Sequence, residues 1–142
     1  MKISTRGRYA IRVLVDMAEH ADGGFIPLKD IAERQEVSHK YLEGIMLILS
    51  KNKIVQAVHG KGGGYKLNKS PEECTVGEVL RATEGTLAPV ACLETGAEPC
   101  GRTADCRTLG MWKELYALIV DFFDGKTIKD LMRPSDGGDY VI

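Results

Sequence analysis

Three cysteines crowd into the segment ACLETGAEPCGRTADCRTLG: Cys92, Cys100 and Cys106, with seven residues in the first gap and five in the second. Thiolate sulfur is a soft ligand suited to iron–sulfur clusters and zinc, and it is also the nucleophile of thiol switches. An iron–sulfur cluster ordinarily takes four protein ligands, and only three stand together here. Gly96, Pro99 and Gly101 mark the segment as a loop, which can gather separated thiols. The remaining cysteine, Cys74, lies just before a helix start, and His20, His39 and His59 fall in other elements. Glu94, Glu98, Asp105 or a small exogenous ligand are left for a fourth position. Three readings stay open: a cluster, a zinc site or thiol switch, and inert thiols.

A second stretch with chemical content is HGKGGGYKL, from His59 to Leu67. Glycine next to lysine often cradles phosphate, but a P-loop needs Ser or Thr after the lysine, and Lys61 is followed by Gly62. A dinucleotide fingerprint fails as well, because Tyr65 and Leu67 stand where glycine is required. The apolar run before the glycines and the aromatic after them predict a β-hairpin, with strands over 54–58 and 65–67 and His59 and Lys61 at an exposed tip. Few side chains would keep such a tip out of a minor groove about 6 Å wide, where basic residues meet negative potential.

The elements that must position these groups follow from periodicity. After Ser4 and Thr5, the residues Ala10, Val13, Leu14, Met17 and Ala18 form one helical stripe, ended by Asp22, Gly23 and Gly24. Leu28, Ile31 and Ala32 make a short helix and Gln35, Glu36 and Val37 a tight break. Ser38 then caps a third helix whose apolar stripe is Leu42, Ile45, Met46 and Leu49. This order is helix, short turn, helix. With the stripe in the core, Ser38, His39, Lys40 and Glu43 point outward from the first two turns, where a helix-turn-helix protein meets base edges. Glu43 can accept from a cytosine amino group, and His39 and Lys40 can donate to guanine or phosphate.

Charge agrees with a nucleic-acid partner despite a formal net charge of -1. Residues 1–69 hold 12 Lys and Arg against 7 Asp and Glu, and residues 70–142 hold 7 against 13. A basic half meets phosphate while an acidic half does something else. The N-terminus MKISTRGRYA lacks a secretory apolar stretch and no apolar run reaches membrane-spanning length, so the chain is expected in the cytoplasm with no membrane partner. Thiols stay reduced there, which favours ligands or reactive groups over disulfides.

Further along, TVGE from Thr75 to Glu78 predicts a capping box, and Val76, Val79 and Leu80 a helix that Gly85 stops. After the cysteine loop, Leu109, Trp112, Tyr116, Ile119 and Phe123 recur at gaps of 3, 4, 3 and 4, a seam that favours helix against helix and predicts a dimer contact. A short helix is predicted over 127–132 and a flexible tail over 133–142. The expected fold is mainly α with a small β-hairpin: a winged helix-turn-helix domain over 1–86, a cysteine-bearing sensor loop over 87–107, and a long dimerisation helix with a short C-terminal helix over 108–132. Neither a nucleophile elbow nor a pair of metal-binding histidines on one helix is present, so no enzyme is predicted.

The residues MKISTRGRYAIRVL, the turn and helix around VSHKYLEGIM, the wing HGKGGGYKLNKSPEECTVGEVLRATEG and the three clustered cysteines together resemble a bacterial family of iron–sulfur cluster regulators. These are the IscR-like, Rrf-type winged-helix repressors, and the resemblance runs to about Met132. It implies a homodimeric regulator that binds double-stranded DNA sequence-specifically. It also implies a 2Fe-2S or 4Fe-4S cluster on Cys92, Cys100 and Cys106 that senses iron–sulfur, redox or nitric oxide status. Carried onto this chain, Ser38, Lys40, Tyr41 and Glu43 match the family's recognition-helix positions, and His59, Lys61, Gly62 and Gly63 match its wing.

Two departures stand out. Cluster regulators of the family leave five residues in each gap between cysteines, and some place a histidine three positions after the last, where this chain has Leu109. Other members take an acidic ligand from near the start of the partner subunit, where this chain carries Arg6, Arg8 and Arg12. The alternative function is a cluster-free regulator of cysteine or sulfur metabolism acting through a protein corepressor or a thiol switch.

Overall fold

The computed structural model describes residues 2–134, so the tail predicted over 133–142 lies outside the described residues beyond its first two. The element order is α1 (Thr5–Glu19), α2 (Leu28–Gln35), α3 (His39–Lys51), β1 (Val55–Val58), β2 (Gly64–Leu67), α4 (Val76–Glu84), α5 (Leu109–Asp124) and α6 (Ile128–Leu131). The strands form one antiparallel hairpin in which Val55 pairs with Leu67 and Val58 with Gly64. Mostly helical, with one small hairpin, this is the expected winged-helix architecture.

Each helix start has a local cause. Ser4 Oγ accepts from the Gly7 N–H at the head of α1, and Ser38 Oγ accepts from the Tyr41 N–H at the head of α3, both at 3.0 Å. The break between α2 and α3 turns on Glu36, a non-glycine residue at φ 54°, whose N–H returns to the carbonyls of Ala32 and Glu33. Helix α1 ends sooner than the sequence suggested, at Glu19 with His20 as its C-cap, before the Asp22–Gly23–Gly24 turn. The capping box at Thr75 is only half made. Thr75 Oγ1 accepts from the Glu78 N–H at 3.1 Å, but the Glu78 carboxylate instead accepts from Lys69 Nζ at 2.7 Å. The reciprocal box occurs one element later, between Thr127 and Asp130 at the head of α6.

The main core gathers the predicted stripes of α1 and α3. Ala10, Val13, Leu14, Met17, Leu42, Ile45, Met46 and Leu49 are all buried, together with Ile31, Ile54 and Val79. Ile128 of α6 is fully buried in the same cluster, so the chain returns to the head after α5. Its return is fixed by backbone hydrogen bonds from the Val76 N–H to the Lys126 carbonyl and from the Ile128 N–H to the Cys74 carbonyl. One buried charge sits in this region. The Asp16 carboxylate on α1 receives Arg34 of α2 through Nη2 at 2.7 Å and Nε at 3.0 Å, and Gln35 Nε2 at 2.9 Å. That pairing satisfies a carboxylate the core could not otherwise hold, and it fixes α2 on α1.

Helix α5 differs, because none of its residues is buried. On one side, Tyr116, Ile119 and Phe123 pack against a small cluster of Val76, Leu80 and Leu87, and Arg81 of α4 clasps Asp124 through two hydrogen bonds of 2.7 and 2.9 Å. The predicted seam therefore faces its own α4 over part of its length. A second apolar stripe faces away: Met111, Leu118 and Phe122 are 51%, 67% and 58% exposed.

Candidate nucleic-acid interface and cysteine loop

The first two turns of α3 stand as the sequence predicts, with Ser38, His39, Lys40, Tyr41 and Glu43 all exposed. Lys40 and Glu43 line an open groove of about 660 Å³ whose opposite wall is the hairpin, contributed by Ala57, His59 and Tyr65. The groove joins the predicted helix readers to the wing, since Lys40, Glu43 and His59 share it. Gly44, Leu47 and Ser50 line it too. These were missed from the sequence, where Leu47 merges into the apolar run IMLIL; its one available signal is that it lies off the buried stripe.

The remaining candidates take different places. Ser38 is occupied as the cap of α3. His39 Nδ1 lies 2.8 Å from Glu43 Oε1, one turn further along the same face. Tyr41 meets the edge of Tyr9 on α1, with ring centroids 6.0 Å apart at 89°, and Arg12 stacks 4.6 Å over the other partner, Tyr9. An arginine and two aromatics thus flank the start of α3, a grouping invisible in sequence because 32 positions separate Tyr9 from Tyr41.

Lys61 and Gly62 are exposed at the hairpin tip. Gly62 has φ 78° with open space around its α-carbon, a conformation that glycine adopts without cost. Gly63 answers to packing instead, because a Cβ there would lie 2.2 Å from the Val58 carbonyl oxygen. Its lack of a side chain is required by the turn itself, whatever else the wing touches. An isolated bridge from Ile26 to Tyr65, one strand pair from the turn, ties the outer end of the hairpin to the chain between α1 and α2.

The cysteine loop begins after Gly85, whose φ of 84° ends α4 as predicted. Cys92, Cys100 and Cys106 all line one cavity of about 260 Å³, walled also by Leu93, Pro99, Leu109 and Lys113. The donor set therefore fits a thiophilic metal or cluster in kind: three sulfurs on one apolar-walled hollow. Glu94, Glu98 and Asp105 are not among its lining residues. Among the described residues no group of three or more His, Cys, Asp or Glu side chains is gathered closely enough to hold a metal ion. The loop must draw in for all three thiolates to share one center.

Cys106 is distinct within the trio. Its Sγ lies 3.5 Å from Thr108 Oγ1, and hydrogen bonds from the Thr108 side chain, then from the Thr108 and Leu109 backbone, hold its thiol below the ordinary range. Thr108 is the N-cap residue of α5 yet makes no side-chain cap bond to the helix. Cys74 is the opposite case. Buried in the main core, its thiol is pushed up to about 11, first by burial and then by the Glu78 charge, so it is a core residue rather than a ligand.

A helix-turn-helix flanked by a two-stranded wing, with basic and hydrogen-bonding side chains along the groove between them, defines a winged-helix DNA-binding protein of the transcription-regulator class. Its architecture extends past the wing to the long α5, which narrows the class further. The chain belongs to the Rrf2 family, whose profile, described as an iron-dependent transcriptional regulator, matches residues 3–134. It is 39% identical over 132 residues to the HTH-type transcriptional regulator IscR of Aliivibrio salmonicida, covering 93% of this chain and 77% of that one. Among solved structures, CymR (YrzC), the global cysteine regulator of B. subtilis, is similar at a TM-score of 0.73 and 32% identity over 92% of this chain and 95% of that one. T. potens IscR is similar at a TM-score of 0.70 and 31% identity, covering 92% and 85%. These relatives are named as regulators and not as enzymes, in agreement with the sequence. No helix among the described residues is long and apolar enough to cross a membrane.

Proposed function

We propose that the protein is a cytoplasmic, homodimeric repressor that reads an operator with α3 and its wing and senses iron–sulfur, redox or nitric oxide status through a cluster on Cys92, Cys100 and Cys106. The observation that carries this reading is the single cavity lined by all three thiols against the first turn of α5. In the DNA complex the first turns of α3 enter the major groove, where Lys40 and Glu43 meet base edges. Lys61 and His59 meet the backbone and minor groove from the wing, with Gly62 and Gly63 keeping the tip thin. The exposed stripe of Met111, Leu118 and Phe122 is the contact between two copies, which places two reading heads on two half-sites.

A bound cluster would supply a redox-active, oxidation-labile center that ties the three thiolates together. What the chain contributes is coupling. Cys106 shares its hydrogen bond with Thr108 at the head of α5, so a group held by that sulfur would sit against the uncapped first turn of the helix. Because α5 carries the dimer stripe, a change at its head alters how the two heads are spaced.

The test is iron and sulfide quantitation after anaerobic purification, on the wild type and on Cys100→Ala. Iron with matching sulfide in the wild type, lost in the variant along with a change in operator affinity, is expected. A colourless, metal-free protein that stays so after reconstitution overturns the cluster. The likeness to the cysteine regulator CymR supports the second reading, a cluster-free regulator of sulfur metabolism that works with a protein corepressor or thiol switch, and that result would favour it.

A further inference from the structure

The pair His39 and Glu43 is exposed, and a surface ion pair one helical turn apart ordinarily adds only a few tenths of a kcal/mol to a helix. Even that small role is poorly served here. His39 is the first residue of α3, where the helix dipole disfavours positive charge, and the acid follows the base, the weaker of the two orders for such a pair. The contact is nonetheless short, 2.8 Å from His39 Nδ1 to Glu43 Oε1. A carboxylate only accepts, so Nδ1 must carry the proton that is donated. The tautomer is thereby assigned from the geometry.

Glu43 lines the groove between α3 and the wing, and His39 does not. The imidazole reaches Glu43 from outside the groove and engages one oxygen. Oε2 has no hydrogen bond among the described residues. A glutamate on a helix surface otherwise samples several rotamers of three torsions, and fixing them before binding removes that entropy cost from recognition. We infer that His39 is a positioning residue that locks Glu43, holding its free carboxylate oxygen ready to accept from a base amino group in the major groove, and so sharpens base preference without supplying much affinity.

This inference rests on the proposed reading of bases by α3, and its test separates the two. A randomised duplex pool is selected at fixed salt with wild type, Glu43→Ala, His39→Ala, His39→Gln and the double variant, and the bound duplexes are sequenced. Glu43→Ala is expected to flatten the preference at one base pair of each half-site. His39→Ala should relax the same base pair by about three- to tenfold, less than Glu43→Ala does, because the carboxylate itself remains. The double variant should be no flatter than Glu43→Ala alone, and His39→Gln, which can still donate to residue 43, should restore most of the preference. His39→Ala and His39→Gln should bind random duplex with the same affinity and salt slope as each other, so that the difference between them at this base pair reports the contact with residue 43 and not a general loosening of α3. If Glu43→Ala relaxes the position while His39→Ala leaves it intact, the lock is overturned and base reading by α3 stands. Should Glu43→Ala change nothing, the reading of a base by Glu43 falls and the lock falls with it, whatever Lys40 contributes.

Discussion

The head of the molecule and its cysteine-bearing arm are built on different terms. In the head, α1, α3 and α4 bury whole apolar stripes against one another, and the single buried carboxylate, Asp16, is fully paired. In the arm, a loop with two exposed thiols and one half-buried leads into a helix with no buried residue and a bare apolar stripe. The head supplies its own stability from within one chain. The arm leaves apolar surface and thiols outside any core of its own.

Removing a partner of the buried charge should break the head most. Arg34→Ala leaves Asp16 with Gln35 alone, and we expect a loss of about 3 kcal/mol in chemical denaturation, close to what an uncompensated buried charge costs. A charge on the arm's bare stripe should have the opposite profile. Leu118→Glu is expected to weaken dimerisation at least ~100-fold by analytical ultracentrifugation, about 2.7 kcal/mol, while shifting the unfolding of the single chain by less than ~0.5 kcal/mol. Equal damage to folding from both variants would erase the distinction between the two regions.

Smaller effects sharpen it. Lys61→Ala should lower operator affinity uniformly across sequences and reduce the salt slope by about 1, with no change in dimerisation. At the joint between head and arm, Asp124→Asn removes the clasp with Arg81, and because both side chains are well exposed the loss should be well under ~1 kcal/mol at neutral pH. The Arg81 hydrogen bonds hold the Asp124 carboxyl below the usual carboxylate range. That contribution is therefore complete above the ordinary value of about 3.9 and disappears as pH falls through the depressed one. The stability gap between wild type and Asp124→Asn should close under acid and nowhere else.

The head was largely legible in the sequence because its signals are local. Ser38 and Gly85 announce a helix start and stop by chemistry acting within a few residues, and the stripe of Leu42, Ile45, Met46 and Leu49 reads directly as a buried face. The candidate readers on α3 followed from that stripe by subtraction. What stayed hidden depends on contacts distant along the chain. Asp16 looks like any surface acid until Arg34 is folded over it, and Glu78 leaves its capping box because Lys69 comes within reach. The seam of α5 showed which residues would be apolar, but not that Tyr116, Ile119 and Phe123 would spend themselves on α4 and leave Met111, Leu118 and Phe122 bare. Likewise the spacing of the cysteines forecast a shared hollow but not the distances across it.

Because α6 docks beside α1 and pairs its backbone with the stretch around Cys74, the arm is an arch with both feet on the same ground. Cutting the chain within the crown, between Glu98 and Gly101, would consequently not set two pieces adrift. The nicked protein should travel as one particle until denaturant lifts Ile128 out of its seat.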